Sequence, residues 1–299
     1  MINTSVVRQI GTDELAQFRA VQQLAYRCVE AVAAELRPGM TEKDAAARML
    51  DWLRAHGVND WLHKPFAWFG DRTAFQGFSG LSHMAGFSLN FFPGSRRLEE
   101  NMPFILDVAP VLNGALADVG FAGVIGHNPT LDRLQDDLMA HRELIVDLVQ
   151  RRHTLADVAR AVDALCLRQG VEPRHKAYPF KVLAHRVAKL DNPATPRSVA
   201  RFGLNSTLNL MAQSRAGKKE GWSPLWNTSE KSDHAPTPGL WAVEPHLGFR
   251  GVGAKFEELL VITETDAFWL DDDLPHVRRW QARQAGHTVV PPQPELQAA

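Results

Sequence analysis

The sequence predicts an α+β fold built from two similar halves. Three observations carry this reading. Two gapless copies of one helix signature lie about a hundred residues apart. A longer helical stretch precedes each copy. A β-rich stretch with acidic residues inside apolar runs follows each copy.

The copies run from Thr41 to Val58 and from Thr154 to Val171. Thr41 pairs with Thr154, Asp44 with Asp157, Ala46 with Ala159, Gly57 with Gly170 and Val58 with Val171. Threonine with an acid three residues on is a helix start, because the pair satisfies N–H groups that the first turn leaves open. The glycine supplies a left-handed turn after the last helical residue. The preceding helices are expected over Asp13–Leu36 and Leu131–Val149. Strands are expected at Phe104–Ala109 and Leu116–Val124 in the first half, and at Leu240–His246 and Phe256–Thr263 in the second. Clusters at Pro93–Ser95 and Pro236–Gly239 read as loops. The polar and aromatic stretch from Asn205 to Gly239 reads as a lid or an insertion, and Gln281–Ala299, rich in proline, as a loose tail. The expected organisation is one domain over 1–280, with halves at about 13–130 and 131–268 and a tail at 281–299.

Composition narrows the function. Lys+Arg is 33 and Asp+Glu 34, a net charge of -1 that speaks against nucleic acid or an anionic membrane as partner. Only two cysteines occur, Cys28 and Cys166, too few for a disulfide framework or a cysteine-built zinc site; both fall in helical stretches and read as buried thiols. Met1 to Glu14 contains no apolar signal-like run, and no stretch reaches the ~18 apolar residues of a membrane span. A cytoplasmic protein is therefore expected.

The acids inside the strands carry the chemistry. Asp107 sits in Phe-Ile-Leu-Asp-Val-Ala-Pro, and Asp118 follows eleven residues on in Ala-Leu-Ala-Asp-Val-Gly. An Asn113-Gly114 turn between them predicts a hairpin that brings both carboxylates together. Glu244 and Glu257 stand at corresponding places in the second half. Like charges held close are costly unless a cation lies between them. Four carboxylates with one imidazole suit a pair of divalent ions such as Mn, Fe, Co or Zn. The aromatic run Trp61, Phe66, Trp68, Phe69, Phe75 and Phe78 reads either as core or as an apolar substrate wall.

These motifs together resemble the pita-bread metallopeptidases of family M24, which include methionine aminopeptidase, prolidase, aminopeptidase P and creatinase. The resemblance rests on Leu36-Arg-Pro-Gly-Met-Thr-Glu42, Arg97-Leu98 followed by Pro103–Ala109, Ala242-Val-Glu-Pro245 and Glu257–Thr263, and spans about residues 15 to 268. It implies a pita-bread fold and a pair of divalent metal ions. Asp107 then resembles the chelating carboxylate, Asp118 and Glu257 the bridging ligands, His185 the imidazole ligand, and Glu244 a ligand that also moves a proton. His83 resembles a histidine that contacts the substrate or the scissile amide. The implied activity is hydrolysis of an amide or peptide C–N bond, with a small peptide as substrate and a homodimer as assembly.

The chain also departs from the family. His185 lies between Ala184 and Arg186 rather than two glycines. A second substrate-binding histidine of the family falls on Asn192, which donates a hydrogen bond but cannot act as an acid near neutral pH. His246, after Pro245, is the candidate to restore that imidazole. The stretch between His185 and Glu244 is long. These departures leave the metal cage intact but open a non-peptide alternative, an enzyme acting on a small molecule as an amidinohydrolase or lyase. A metal-free binding module is a separate alternative, against which the retention of all five ligand types argues.

Overall fold

The computed structural model describes residues 11–76, 89–190, 198–199 and 201–288. The first half opens with α1 (Thr12–Glu35) and α2 (Glu42–Ala55), followed by β1 (Asp60–Phe69), β2 (Pro103–Leu112), β3 (Ala115–Leu116) and β4 (Val119–Val124). The second opens with α3 (Pro129–Gln150) and α4 (Leu155–Gln169), followed by β5 (Glu172–Pro173) and β6 (Ala184–Val187). Between β6 and the next long strand lie β7 (Ser198–Val199), β8 (Phe202–Gly203), α5 (Leu204–Glu220) and β9 (Leu225–Trp226). The chain then forms β10 (Gly239–Val243), β11 (His246–Phe249), β12 (Val252–Lys255), β13 (Glu258–Ile262), β14 (Ala267–Trp269) and α6 (Pro275–Thr288).

The helix starts follow from local chemistry. The Thr41 hydroxyl accepts from the Asp44 N–H while the Asp44 carboxylate accepts from the Thr41 N–H, a complete capping box. Thr154 accepts from the Asp157 N–H in the same way, and Gly170, at φ 68°, ends α4. α1 buries Phe18, Val21, Leu24, Ala25, Cys28, Val29 and Val32, one face at helical spacing. That face packs on β2 and β4.

Each half places an antiparallel core of strands against its helix pair. In the first sheet the order is β3-β2-β1-β8-β7, with β4 also paired to β2. In the second it is β14-β13-β10-β6-β9, and β12-β11-β5 form a third sheet. A bridge between Phe121 and Phe256 ties β4 to the second half. Fully buried Trp68, Trp226, Trp241, Phe69 and Phe256 fill the space between the layers.

Several strands are shorter or more broken than the apolar runs suggest. The run at Leu240–His246 splits at Glu244-Pro245, since proline has no N–H to continue a ladder. The run at Leu116–Val124 breaks at Ala117-Asp118, between β3 and β4. Asn113 and Gly114 have φ of 52° and 80°, the left-handed pair that a tight hairpin turn needs.

The stretch from Asn205, read as a lid or an insertion, carries α5, which runs for 17 residues and ends at Gly221, whose φ is 80°. One reading is corrected. The tail does not begin at Gln281, because α6 continues through Thr288. Trp280 anchors that helix by donating to the Gln135 carbonyl at 2.7 Å, and Arg283 pairs with Asp136. Among the described residues no helix is long and apolar enough to cross a membrane. Cys28 and Cys166 are both free and buried.

Candidate metal centre

Strand pairing sets the acids face to face. Asp107 in β2 lies in register with Phe66 of β1 and Gly120 of β4. Asp118 occupies the break before β4, so its side chain turns from the hairpin edge toward Asp107 and His185. In the second half, Ala242 pairs with His185 across β10 and β6, and Val243 with Glu258 across β10 and β13. Glu244 and Glu257 therefore flank the same end of the second sheet. All four carboxylates and His185 line one cavity of about 610 Å³.

Two further groups that sequence reasoning missed enter this cluster. Lys255 sends its ammonium to Asp107 Oδ2 at 2.9 Å, Glu244 Oε2 at 3.1 Å and Glu257 Oε2 at 2.8 Å. Its stem crosses Gly120, where a Cβ would fall 2.3 Å from Lys255 Cε; only glycine leaves that passage open. His63 places Nε2 3.2 Å from Asp107 Oδ1 and 3.2 Å from Asp118 Oδ1. Register shifts on either side of His63 in β1 re-aim its side chain into the cluster. A histidine inside the apolar run Trp-Leu-His-Lys-Pro-Phe was the available signal; for Lys255 the signal was a lysine two residues before a strand-borne glutamate.

The charges shape one another. Burial raises the Glu244 carboxyl to about 7, with Lys255 and His185 pulling it down and Asp118 and Asp107 pushing it up. Burial and the neighbouring Asp118 and Glu244 push Glu257 well above the usual carboxylate range. Burial opposes charge on Asp118, but His63 and His185 hold its carboxyl far below the usual range. Burial also opposes charge on His63, yet Asp118 and Asp107 raise it to about 9. His185, 3.4 Å from Asp118 Oδ2, is likewise raised against its burial.

The residues present fit a bound cation. Asp107 Oδ1 and Glu257 Oε1 are buried without a hydrogen-bond partner, while the second oxygen of each is taken by Lys255. A buried, unpaired carboxylate oxygen is costly unless a cation meets it. Donor atoms of His63, Asp107 and Asp118 lie within 4.8 Å of one another, as do those of Asp118, His185 and Glu257.

His246 is fully buried away from the cavity: Nε2 meets the Thr73 carbonyl at 2.7 Å, Nδ1 meets the Tyr178 hydroxyl at 3.1 Å, and the ring packs edge-on against Phe75. Burial and Lys255 hold it neutral, so it is a structural group and does not restore a substrate-binding imidazole. His83 and Asn192 lie outside the described residues. Arg186 points to the opposite face of β6 from His185. Its guanidinium donates to the Pro238 carbonyl at 2.7 Å and lies over Trp222, so its bulk does not enter the cage.

Above the cage the cavity is apolar. Of the aromatic run, Phe66 and Trp68 line it, stacked at 5.5 Å; Trp61, Phe69 and Phe75 pack in the core, and Phe78 lies outside the described residues. Phe91, Phe180 and Phe202 add to the wall. The remaining side comes from α5, whose Thr207, Leu210, Met211 and Ser214 recur at helical spacing along it.

The pattern of metallopeptidase family M24 matches residues 16–264. The chain belongs to this family. The fold agrees. An X-Pro aminopeptidase from Thermotoga maritima superposes with a TM-score of 0.64 at 15% identity, over 90% of this chain and 63% of that one. A prolidase from Pyrococcus furiosus gives 0.62 at 15% identity, over 89% and 65%. A methionine aminopeptidase from Rickettsia prowazekii gives 0.57 at 13% identity, over 88% and 98%. These likenesses establish the M24 pita-bread fold. An uncharacterized peptidase of Staphylococcus aureus is 25% identical over 107 residues, 36% of this chain and 27% of that protein. The chain thus spans about a quarter of the curated relatives it matches and under two thirds of the first two structures.

Proposed function

We propose that this M24 chain is a metal-dependent hydrolase of an amide or peptide C–N bond. One observation carries the reading: four carboxylates and His185, drawn from both halves, converge on one wall of a single cavity. Asp107, Asp118, His185, Glu244 and Glu257 are the residues that would hold two divalent ions. Such ions, when bound, supply a water acidified toward neutrality and a Lewis acid for the scissile carbonyl. Glu244, which lines the same cavity, would accept the proton of the attacking water and return it to the leaving nitrogen. The apolar wall of Phe66, Trp68, Phe91 and Leu210 excludes bulk water and holds an apolar side chain beside the cage.

That same wall favours a small apolar substrate, either a short peptide with an apolar first residue or a non-peptide amide. Lys255 favours the competing reading, a metal-free binding module, because its ammonium already neutralises three of the five expected ligands. Metal content of the purified protein separates enzyme from binding module: about two equivalents of Mn, Co, Fe or Zn support catalysis, and none, with no uptake on addition, overturns it. Panels of dipeptides with and without proline, beside small amides, then decide the substrate. Failure on every peptide with turnover of a small amide defeats the peptidase reading.

A further inference from the structure

We propose that His63 is a sixth protein ligand of the cage, binding through Nε2 a divalent cation that it shares with Asp107 and Asp118. The inference rests on the reading that the cage takes metal, and adds a residue which that reading does not contain.

The geometry points to a ligand in three ways. The other ring nitrogen, Nδ1, faces the Lys64 carbonyl at 3.1 Å. A carbonyl only accepts, so Nδ1 carries a hydrogen, and Nε2 is the nitrogen left to face the acids or, once its own proton is displaced, a metal. Fixing the tautomer through a backbone carbonyl is the usual support for a metal-bound imidazole. Second, Nε2 is equidistant, at 3.2 Å, from one oxygen of each aspartate. Ligand atoms ~2.1 Å from one ion, at angles between right and tetrahedral, stand about 3.0–3.4 Å apart. Third, with no metal bound Nε2 must carry a second hydrogen to meet these acids, and that hydrogen aligns with Asp118 Oδ1 alone, leaving Asp107 Oδ1 buried without a hydrogen bond. A cation among the three atoms satisfies all of them.

The cage then divides into two imidazole-bearing positions that share Asp118. One is His63, Asp107 and Asp118; the other is Asp118, His185 and Glu257. A nitrogen donor in each shifts preference from oxygen-seeking ions toward Co, Fe or Zn.

The test is titration of metal-free wild type, His63→Ala and His63→Phe with Co2+, followed by calorimetry and visible absorption. Phenylalanine keeps a ring beside Phe66 and Phe202 while removing both nitrogens. The expected result is two equivalents in wild type, and in both variants one equivalent weakened by at least ~10-fold with an altered cobalt spectrum. Unchanged binding overturns the proposal. So does tighter binding, which would make the charged ring a competitor of the metal. No uptake by wild type overturns the metal reading itself and the proposal with it. Should both variants fold poorly, X-ray absorption of the cobalt-loaded wild type counts imidazoles directly: one per ion supports the proposal, and one for every two ions overturns it.

Discussion

Lys255 Nζ lies 2.8 Å from Glu257 Oε2, two residues along the chain, and the same ammonium reaches Asp107 and Glu244. The protein therefore carries its own cation inside the cage. Removing one member of a buried charge cluster leaves the rest uncompensated and costs about 3–5 kcal/mol. Lys255→Met is expected to lower the melting temperature of the metal-free protein sharply, and added Mn2+ or Co2+ to restore much of the loss. Thermal melts with and without metal check this. Identical melting of variant and wild type would show that the ammonium does not balance these acids.

Asp118 is the carboxylate shared between the two histidines, with His63 on Oδ1 and His185 on Oδ2. A ligand that serves both positions cannot be lost from one alone. Asp118→Ala is expected to leave less than one equivalent of metal in the protein, read by elemental analysis after dialysis. Full metal content in this variant would defeat the bridging assignment.

Helix α5 contributes Leu210 and Met211 to the apolar lining of the cavity that holds the cage, and neither residue is one of the expected ligands. Burying a leucine-sized contact is worth about 1.5–3 kcal/mol, so Leu210→Asp is expected to raise KM for an apolar substrate by roughly 10- to 100-fold while metal content stays at the wild-type level. Steady-state kinetics paired with metal analysis decide it. An unchanged KM would remove α5 from the substrate path.

His141 of α3 joins α4 through a 2.8 Å bond from Nε2 to Gln169 Oε1, and its Nδ1 is buried without a partner. Burial lowers its pKa from 6.5 to about 4. The unfolded chain therefore takes up this proton first. Stability from the neutral ring is complete above about pH 6.5 and is lost as pH falls toward 4, by about 3 kcal/mol at most. His141→Gln is expected to flatten the melting temperature across that window. A slope equal to that of wild type would mean that another group carries the acid sensitivity.

Local signals were legible in the sequence where the physics is local. The Thr41 and Thr154 caps, the Gly170 stop and the Asn113-Gly114 turn involve neighbours in the chain, and α1 to α4 start and end within two residues of where periodicity and capping set them. The family motifs likewise placed four acids and His185, because short strands hold them at defined ends. Strand β1 was not legible: its Lys64-Pro65 interruption and irregular register hide the alternation on which strand reading depends. Helix α5 was hidden for a related reason, since its polar composition carries almost no apolar stripe; it is positioned by β1 and β8.

The amino-acid order by itself determined the paired helices, their caps and the Asn113-Gly114 turn between Asp107 and Asp118, which are local; that the acids of both halves converge followed from the resemblance to the family. Only the tertiary structure decided that Lys255 and His63 join those carboxylates and that His246 does not. Lys255 passes over a glycine from another strand, His63 is turned by irregular pairing, and His246 is drawn off by Thr73 and Tyr178. Each of those outcomes depends on residues far away in the chain, and no local pattern encodes such a meeting.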